Sequence, residues 1–239
     1  MIYVISDIHG CYEEFLELLI KIDFKDEDDL YILGDLVDRG PEPIKLLQDV
    51  MMRPNVYPIL GNHDYMALTV LGRLNVEITE ENVDTHLTSD DMLAYMHWTQ
   101  DGGAVTAKQF TKLSAAWRND ILEYLEEFSV YEEVQISDKK YILVHAGIHG
   151  FQENRALEDY SAADLIFCRP DYSRRYYQNR NTYLIIGHTP TFYIRQDRKA
   201  LVYQEHGHIA LDCGCVYGGR LSAYCLDTQE AFYVDSHSK

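Results

Sequence analysis

The stretch Tyr31–Pro43, "YILGDLVDRGPEP", starts as an apolar strand and ends in a turn carrying Asp35, Asp38 and Arg39. A helix cap needs one carboxylate at most, and a tight turn needs glycine or proline, so three charges just past a buried strand ask for another explanation. Other strands in the chain end in the same manner. "YVIS" precedes Asp7 and His9, "YPILG" precedes Asn62 and His63, "YILV" precedes His145, and "YLIIG" precedes His188. In open α/β sheets ligands bind beyond the carboxyl ends of strands, so side chains at these five ends are expected to converge on one crevice. A single aspartate or histidine at a strand end is ordinarily a turn, cap or structural residue; five such ends in one chain are not accounted for that way. Histidine combined with carboxylate suits manganese, iron, zinc or nickel better than calcium or magnesium alone. Two aspartates, one asparagine and three histidines from these ends are enough for two ions sharing a bridging carboxylate.

Working outward, the apolar periodicity predicts a strand at about residues 2–6 and an amphipathic helix carrying Phe15, Leu16, Leu18, Leu19 and Ile22. A second strand, Leu30 to Leu33, leads to a helix started by Pro41 and Pro43 and continued by Ile44, Leu46, Leu47 and Val50. A third run spans Val56 to Leu60. Strands and helices alternating through short loops imply a parallel sheet with right-handed crossovers, an α/β fold. Residues from about 80 to 128 read as helical, with a break at Asp101 to Gly103, and are expected to form a cap-like insert within a single domain spanning 1–239. Strands follow at Val130 to Ile136, Tyr141 to Val144 and Tyr183 to Ile186. The segments "HIALDCG", "RLSAYCLD" and "AFYVD" are expected to close the chain as an antiparallel series.

Composition narrows the class. The chain has 239 residues, 46% of them hydrophobic and 25% charged, the balance of an ordinary globular protein. No apolar run approaches the roughly 18 residues that a membrane-spanning helix needs, and none at the start resembles a cleavable leader, so the expected compartment is the cytoplasm with no membrane partner. A net charge of −18 disfavours nucleic acid as a partner. It does not exclude a phosphate substrate, provided that positive charge is concentrated locally, which bound metal ions achieve. The five cysteines lack zinc-ribbon spacing, and Cys213 and Cys215 are expected to serve packing. Oligomeric state stays open at this level.

The motifs resemble those of the calcineurin-like metallophosphoesterases, in the phosphoprotein phosphatase branch with its bacterial members. The likeness covers nearly the whole chain and rests on "SDIHG" (Ser6–Gly10), "GDLVDRG" (Gly34–Gly40), "GNHD" (Gly61–Asp64), "HAG" (His145–Gly147) and "GHTP" (Gly187–Pro190), in family order. It implies two β-sheets packed face to face and flanked by helices, with a dinuclear centre at the strand ends. It implies that Asp7, His9 and Asp35 hold one metal and that Asp35, Asn62, His145 and His188 hold the other, with Asp35 bridging. Two divalent or trivalent transition metal ions are implied, manganese first among them. His63 then stands beside the metals as general acid, held by Asp38, and Arg39 binds phosphoryl oxygens as a bidentate fork. The resemblance further implies direct attack of a metal-activated water on phosphorus, so no phosphoenzyme is expected. Arg169 in "LIFCRPDYSRR" matches a second arginine of the bacterial phosphatases, with Arg174 and Arg175 as alternatives for that role.

Three features separate the candidate substrates. Protein phosphatases of the family usually carry arginine just before "GNHE"; here Leu60 and Asp64 stand in those places. "LGNHD" and "ALDCGCVYGGRLS" are similar to symmetrical diadenosine tetraphosphatases. "GDLVDRG", "GHTP" and "HWTQDGGAVT" are similar to bacterial serine/threonine phosphatases. The leading expectation is a metal-dependent phosphomonoesterase acting on a phosphorylated protein or small phosphoester; the alternative is a dinucleoside polyphosphate hydrolase, and a third is an inactive metal-binding scaffold. Tyr217, in "CGCVYGG", is expected to wall the cleft against substrate.

Overall fold

The structure is a computed structural model that describes residues 1–77, 79, 82 and 86–237. The first third of the chain alternates β1 (Ile2–Ile5), α1 (Tyr12–Lys21), β2 (Asp29–Ile32), α2 (Pro43–Met51), β3 (Val56–Pro58) and α3 (Asn62–Leu74). Three further helices follow: α4 (Ser89–Trp98), α5 (Ala104–Phe110) and α6 (Ala115–Glu126). The remainder runs β4 (Tyr131–Ile136), β5 (Lys139–Val144), α7 (Ala162–Ile166), β6 (Thr182–Ile186), α8 (Thr191–Ile194), β7 (Tyr203–Glu205), β8 (His208–Ala210), β9 (Arg220–Cys225) and β10 (Ala231–Asp235).

Two five-stranded mixed sheets result, ordered β10-β9-β1-β2-β3 and β4-β5-β6-β8-β7. In the first, β1, β2 and β3 are parallel, because α1 and α2 return the chain over one face. In the second, β5, β6 and β8 are parallel. Alternation along each strand then decides the packing. Val4 and Tyr224 of the first sheet meet Tyr141, Leu143, Ile185 and Ile209 of the second in an apolar layer between the sheets. Their sequence neighbours Tyr3, Ile5, Ile142 and Val144 point the other way, into the core that includes the helices. Helix α1 presents Phe15, Leu18 and Leu19, and α2 presents Ile44, Leu46, Leu47 and Val50, at helical spacing onto that face. Both faces of the parallel strands are therefore covered, as their nearly continuous apolar runs require.

One expectation is corrected. The three closing segments are not one antiparallel series: β8 joins the second sheet parallel to β6, whereas β9 and β10 cross to the first, where β9 pairs antiparallel with β1. Local patterning cannot tell which sheet a short apolar strand will join, because the pairing partner is chosen by tertiary packing. The segment Tyr203–Glu205 also pairs, antiparallel to β8, although its polar residues carry no strand pattern. For the expected insert, residues 80, 81 and 83–85 lie outside the described residues. From Ser89 onward it is helical, with α4 capped by Thr88, whose hydroxyl accepts from the Asp91 amide. The break at Asp101–Gly103 is a π-helical turn in which Gly102 has φ +108°. No helix among the described residues is long and apolar enough to cross a membrane.

Candidate active site and metal centre

The five strand ends meet. From the first sheet come Asp7 and His9 after β1, Asp35 after β2, and Asn62 and His63 at the start of α3; from the second come His145 after β5 and His188 after β6. Main-chain bonds lock the loops together: the His9 amide donates to the Asp35 carbonyl (2.8 Å) and the Gly187 amide to that of His145 (2.7 Å). The His188 amide donates to the Asp7 carboxylate (3.0 and 2.9 Å), which joins the two sheets. Asp7, His9, Asp35, Asp38, Arg39 and His188 all have positive φ, six of the eleven such non-glycine residues among those described. Left-handed backbone is costly for these residues and persists where the surroundings enforce it, typically at functional sites.

Two groups of candidate ligand atoms share Asp35: His9, Asp35 and His63 form one, and Asp35, His145 and His188 the other, each within 4.8 Å of one another. The chemistry of the donors fits cations. His9 Nδ1 donates to the Val37 carbonyl (2.8 Å) and His145 Nδ1 to that of Leu33 (2.6 Å), which leaves Nε2 of each ring with its lone pair turned inward. His145 Nε2 then lies 2.9 Å from Asn62 Oδ1, two acceptors facing each other, and His188 Nδ1 is also 2.9 Å from that oxygen. Burial pushes the Asp35 carboxyl well above the ordinary carboxylate range, with the Asp7 and Asp64 charges adding to it. Burial also pulls His188 down to about 3 and His9 well below its usual value, so both rings are neutral donors. A bound cation relieves each of these conflicts at once.

Asp7 is expected to join His9 and Asp35 at one metal. It is buried, but it belongs to neither group of clustered ligand atoms: its oxygens accept from the His188 amide and from the Ser6 hydroxyl. Ser6, where the family usually has glycine, supplies that last donor.

The residues expected to work on substrate stand beside the cluster. His63 Nδ1 is 2.8 Å from Asp38 Oδ2, so the ring donates to the carboxylate and turns Nε2 outward. Burial opposes a charge on this ring, but the Asp35 charge and the Asp38 bond outweigh it and raise its pKa. Asp38 is itself fixed by Trp98 Nε1 (2.7 Å) and the Thr106 hydroxyl (2.6 Å), both from the helical insert. Arg39 donates to His9 Nε2 (2.8 Å) and to Asp101 (3.0 Å). A cleft of about 590 Å³ opens over the cluster, lined among others by Arg39, His63, Asp101, Arg169, Asp212 and Tyr217. Arg169 is exposed there, whereas Arg174 and Arg175 do not line it; Arg175 instead bonds the carbonyls of Asn179, Arg180 and Thr182. Leu60 is buried in the core rather than facing the cleft. A hollow of similar size, about 610 Å³, lies beside Tyr172 and Arg195 but brings together none of the candidate site residues.

Three site residues escaped the sequence reading. Asp212 follows β8 as His145 follows β5 and His188 follows β6, so "HIAL" before Asp212 is a sixth apolar run ending in a carboxylate. It is buried in the cleft wall, and burial first, then the Asp7 charge, pushes its carboxyl well above the usual range. Asp101, 3.6 Å from His63 Nε2, lies in a π-helical turn, a distortion frequent at functional sites. Asp64 accepts from the amides of Asp35, Leu36, Val37 and Gly61 and so shapes two ligand loops together.

Carboxylate, amide and imidazole donors gathered at the strand ends of a two-sheet α/β fold are the arrangement of a metal-dependent phosphohydrolase. The chain belongs to the calcineurin-like phosphoesterases, whose family model matches residues 1–219. Among named relatives, the symmetrical bis(5'-nucleosyl)-tetraphosphatase of Neisseria gonorrhoeae (strain NCCP11945) is 28% identical over 276 residues, covering 98% of this chain and 95% of that protein. The protein of the same description from Buchnera aphidicola subsp. Schizaphis graminum is 42% identical over 99 residues, an alignment that covers 41% of this chain and only 36% of the relative. Among solved structures, one described as a putative diadenosine tetraphosphatase superposes with a TM-score of 0.67 at 22% identity, covering all of this chain and 94% of that one. A protein serine/threonine phosphatase from Saccharomyces cerevisiae superposes at 0.56 with 14% identity, covering all of this chain and 80% of that one. At these identities the superpositions speak for the fold alone.

Proposed function

We propose that this chain is a metal-dependent phosphohydrolase whose substrate is a dinucleoside polyphosphate. The observation that carries the reaction class is Asp35, shared by two groups of metal-ligand atoms with the His63–Asp38 pair alongside. Phosphomonoester hydrolysis leads in the sequence reading, and the alternative given there is the better supported, because relatives matching over the full chain length bear the tetraphosphatase description. The burial of Leu60, where protein phosphatases place a phosphate-binding arginine, agrees. Residues 1–239 are taken to act as one unit, with α4 to α6 as an insert that buttresses the site.

Two metal ions, manganese first and iron, zinc or nickel also suited, would be held by Asp7, His9 and Asp35 and by Asp35, Asn62, His145 and His188. When bound, such a pair supplies Lewis acidity at the phosphoryl group. The protein's own groups do the rest. Arg39 and Arg169 hold phosphoryl oxygens, and Arg39 gives up its contacts with His9 Nε2 and Asp101 for the substrate. Asp38 holds the His63 Nδ1–H, and the ring in its doubly protonated form, which the raised pKa favours, delivers its Nε2 proton to the departing oxygen and is left neutral.

The test compares rates of manganese-loaded protein on diadenosine tetraphosphate and on a phosphothreonine peptide, with products separated by chromatography. Faster cleavage of the dinucleotide is expected. Faster phosphate release from the peptide would restore the phosphomonoesterase reading, and no turnover of either would favour the inactive scaffold.

A further inference from the structure

We propose that Tyr193 and Tyr217 are paired stacking platforms for the nucleobases of the substrate; this rests on the dinucleoside polyphosphate reading above. Both rings line the catalytic cleft, together with Arg39 and Asp212. Both are largely solvent-exposed, Tyr193 at 68% and Tyr217 at 56%. Large aromatic surfaces held open at the mouth of a polar cleft are an unfavourable use of apolar area unless a ligand covers them. A phosphoserine or phosphothreonine side chain has no flat surface to offer in return. A nucleotide does, at the far end of a polyanion that Arg39 and Arg169 can hold.

The fold sets these rings as a unit. Tyr193 lies in α8, five residues beyond His188. Tyr217 ends the short turn Cys215–Tyr217, bounded by Gly214 and Gly218, both left-handed at φ +69° and +81°. The ring of Phe192 packs directly over Gly214, so closely that a Cβ at that position would collide with it. The Thr191 amide also donates to the Asp212 carbonyl (2.7 Å), tying α8 to the strand that leads into the loop. Phe192 is in ring contact with Tyr193 (centroids 4.6 Å apart), and the Arg39 guanidinium lies 5.6 Å from the centre of the Tyr217 ring. The two platforms thus share one support, and one of them adjoins an arginine placed to hold phosphate. The tyrosine-rich stretch after Arg169 offers no rival surface: Tyr176 is stacked on Phe151, and Tyr172 packs against Tyr203 and His208.

The experiment uses the full manganese-loaded chain and measures kcat and KM for diadenosine tetraphosphate and for glycerol 2-phosphate, which carries no ring. In Tyr193→Ala and Tyr217→Ala the ratio of kcat/KM between the two substrates is expected to fall about tenfold in favour of the glycerol ester, through KM, the scale of one lost base–aromatic stack. Tyr193→Trp is expected to keep the wild-type ratio and Tyr193→Leu to lose it. Calorimetric titration with ADP and with pyrophosphate is expected to show the same fall in the ADP-to-pyrophosphate affinity ratio, a readout independent of turnover. A ratio that stays within twofold of wild type in both alanine variants overturns the platforms while leaving the hydrolase reading intact. Leucine performing as well as tyrosine overturns stacking in favour of a plain apolar wall. A wild-type protein that leaves the dinucleotide uncleaved but dephosphorylates a phosphothreonine peptide overturns the substrate reading, and the platforms with it.

Discussion

Asp38 holds three donors on two oxygens: the His63 ring and the Trp98 indole on one, the Thr106 hydroxyl on the other. That arrangement fixes a fully buried carboxylate, whose proposed role is to act through the imidazole it orients. Replacing His63 with asparagine is expected to lower the rate on a phosphoester with a poor leaving group by ~10²–10⁴-fold, and far less on a good leaving group, measured as kcat for alkyl against nitrophenyl esters. Equal losses on both would remove proton donation from the role of His63. Arg169→Ala is expected to reduce kcat/KM at least about tenfold with metal content by elemental analysis unchanged, because the side chain lies at the cleft and outside both ligand groups. Full activity in that variant would take Arg169 out of the site.

At the scale of elements, the helical insert and the two ligand loops behave as one assembly. The pair Gly102–Gly103 lets the insert approach: a Cβ on Gly102 would lie 2.5 Å from Arg39 Cγ, and one on Gly103 would run into the Trp98 indole. Gly103→Ala is expected to displace the indole, break its bond to Asp38 and lower kcat on poor leaving groups, while the fold and metal content remain; Trp98→Phe, which removes only the N–H, should reproduce the direction of the effect. Asp64→Ala leaves four amides of the loops at 35–37 and 61 without their acceptor. A loss of at least ~2 kcal/mol in urea unfolding is expected, together with weaker metal binding, since stranded buried donors keep their full desolvation penalty. A variant with unchanged stability would mean that the loops find other acceptors.

For the molecule as a whole, the candidate metal centre joins the two sheets, with donors from β1, β2 and α3 on one side and β5 and β6 on the other. Chelation is therefore expected to lower the melting temperature, and added manganese to raise it with concentration, an effect that His145→Ala should abolish. A second whole-molecule property comes from His208, buried between Tyr172 and Tyr176 with neither ring nitrogen bonded. Burial lowers its pKa to about 4 from the ordinary 6.5. Between those values the unfolded chain binds more protons than the folded one, so this group makes stability fall as pH drops from about 6.5 toward 4. Urea melts at pH 7 and pH 4.5 should show a smaller loss in His208→Phe than in the wild type; equal losses would show that the ring titrates normally.

The alternating strands and helices of the first third of the chain, and most of the candidate site, were legible from residue order alone. Apolar runs ending in Asp35, Asn62, His145 and His188 need no tertiary information to be noticed, because strand polarity already directs their ends toward one edge of a sheet. Arg39, His63 and Asp38 were legible for the same reason, being neighbours of those ends in the chain. Features that depend on contact between distant segments were not legible in this way. β8 pairs in the second sheet while β9 crosses to the first, and that places Asp212 in the cleft wall. The insert folds back so that Trp98, Asp101 and Thr106 reach a loop some sixty residues earlier. Asp7 turns its carboxylate to an amide 181 residues away. Local periodicity encodes which face of an element is apolar; it carries no record of which polar groups will meet, because those bonds form only once the packed apolar layers have fixed where each loop stands.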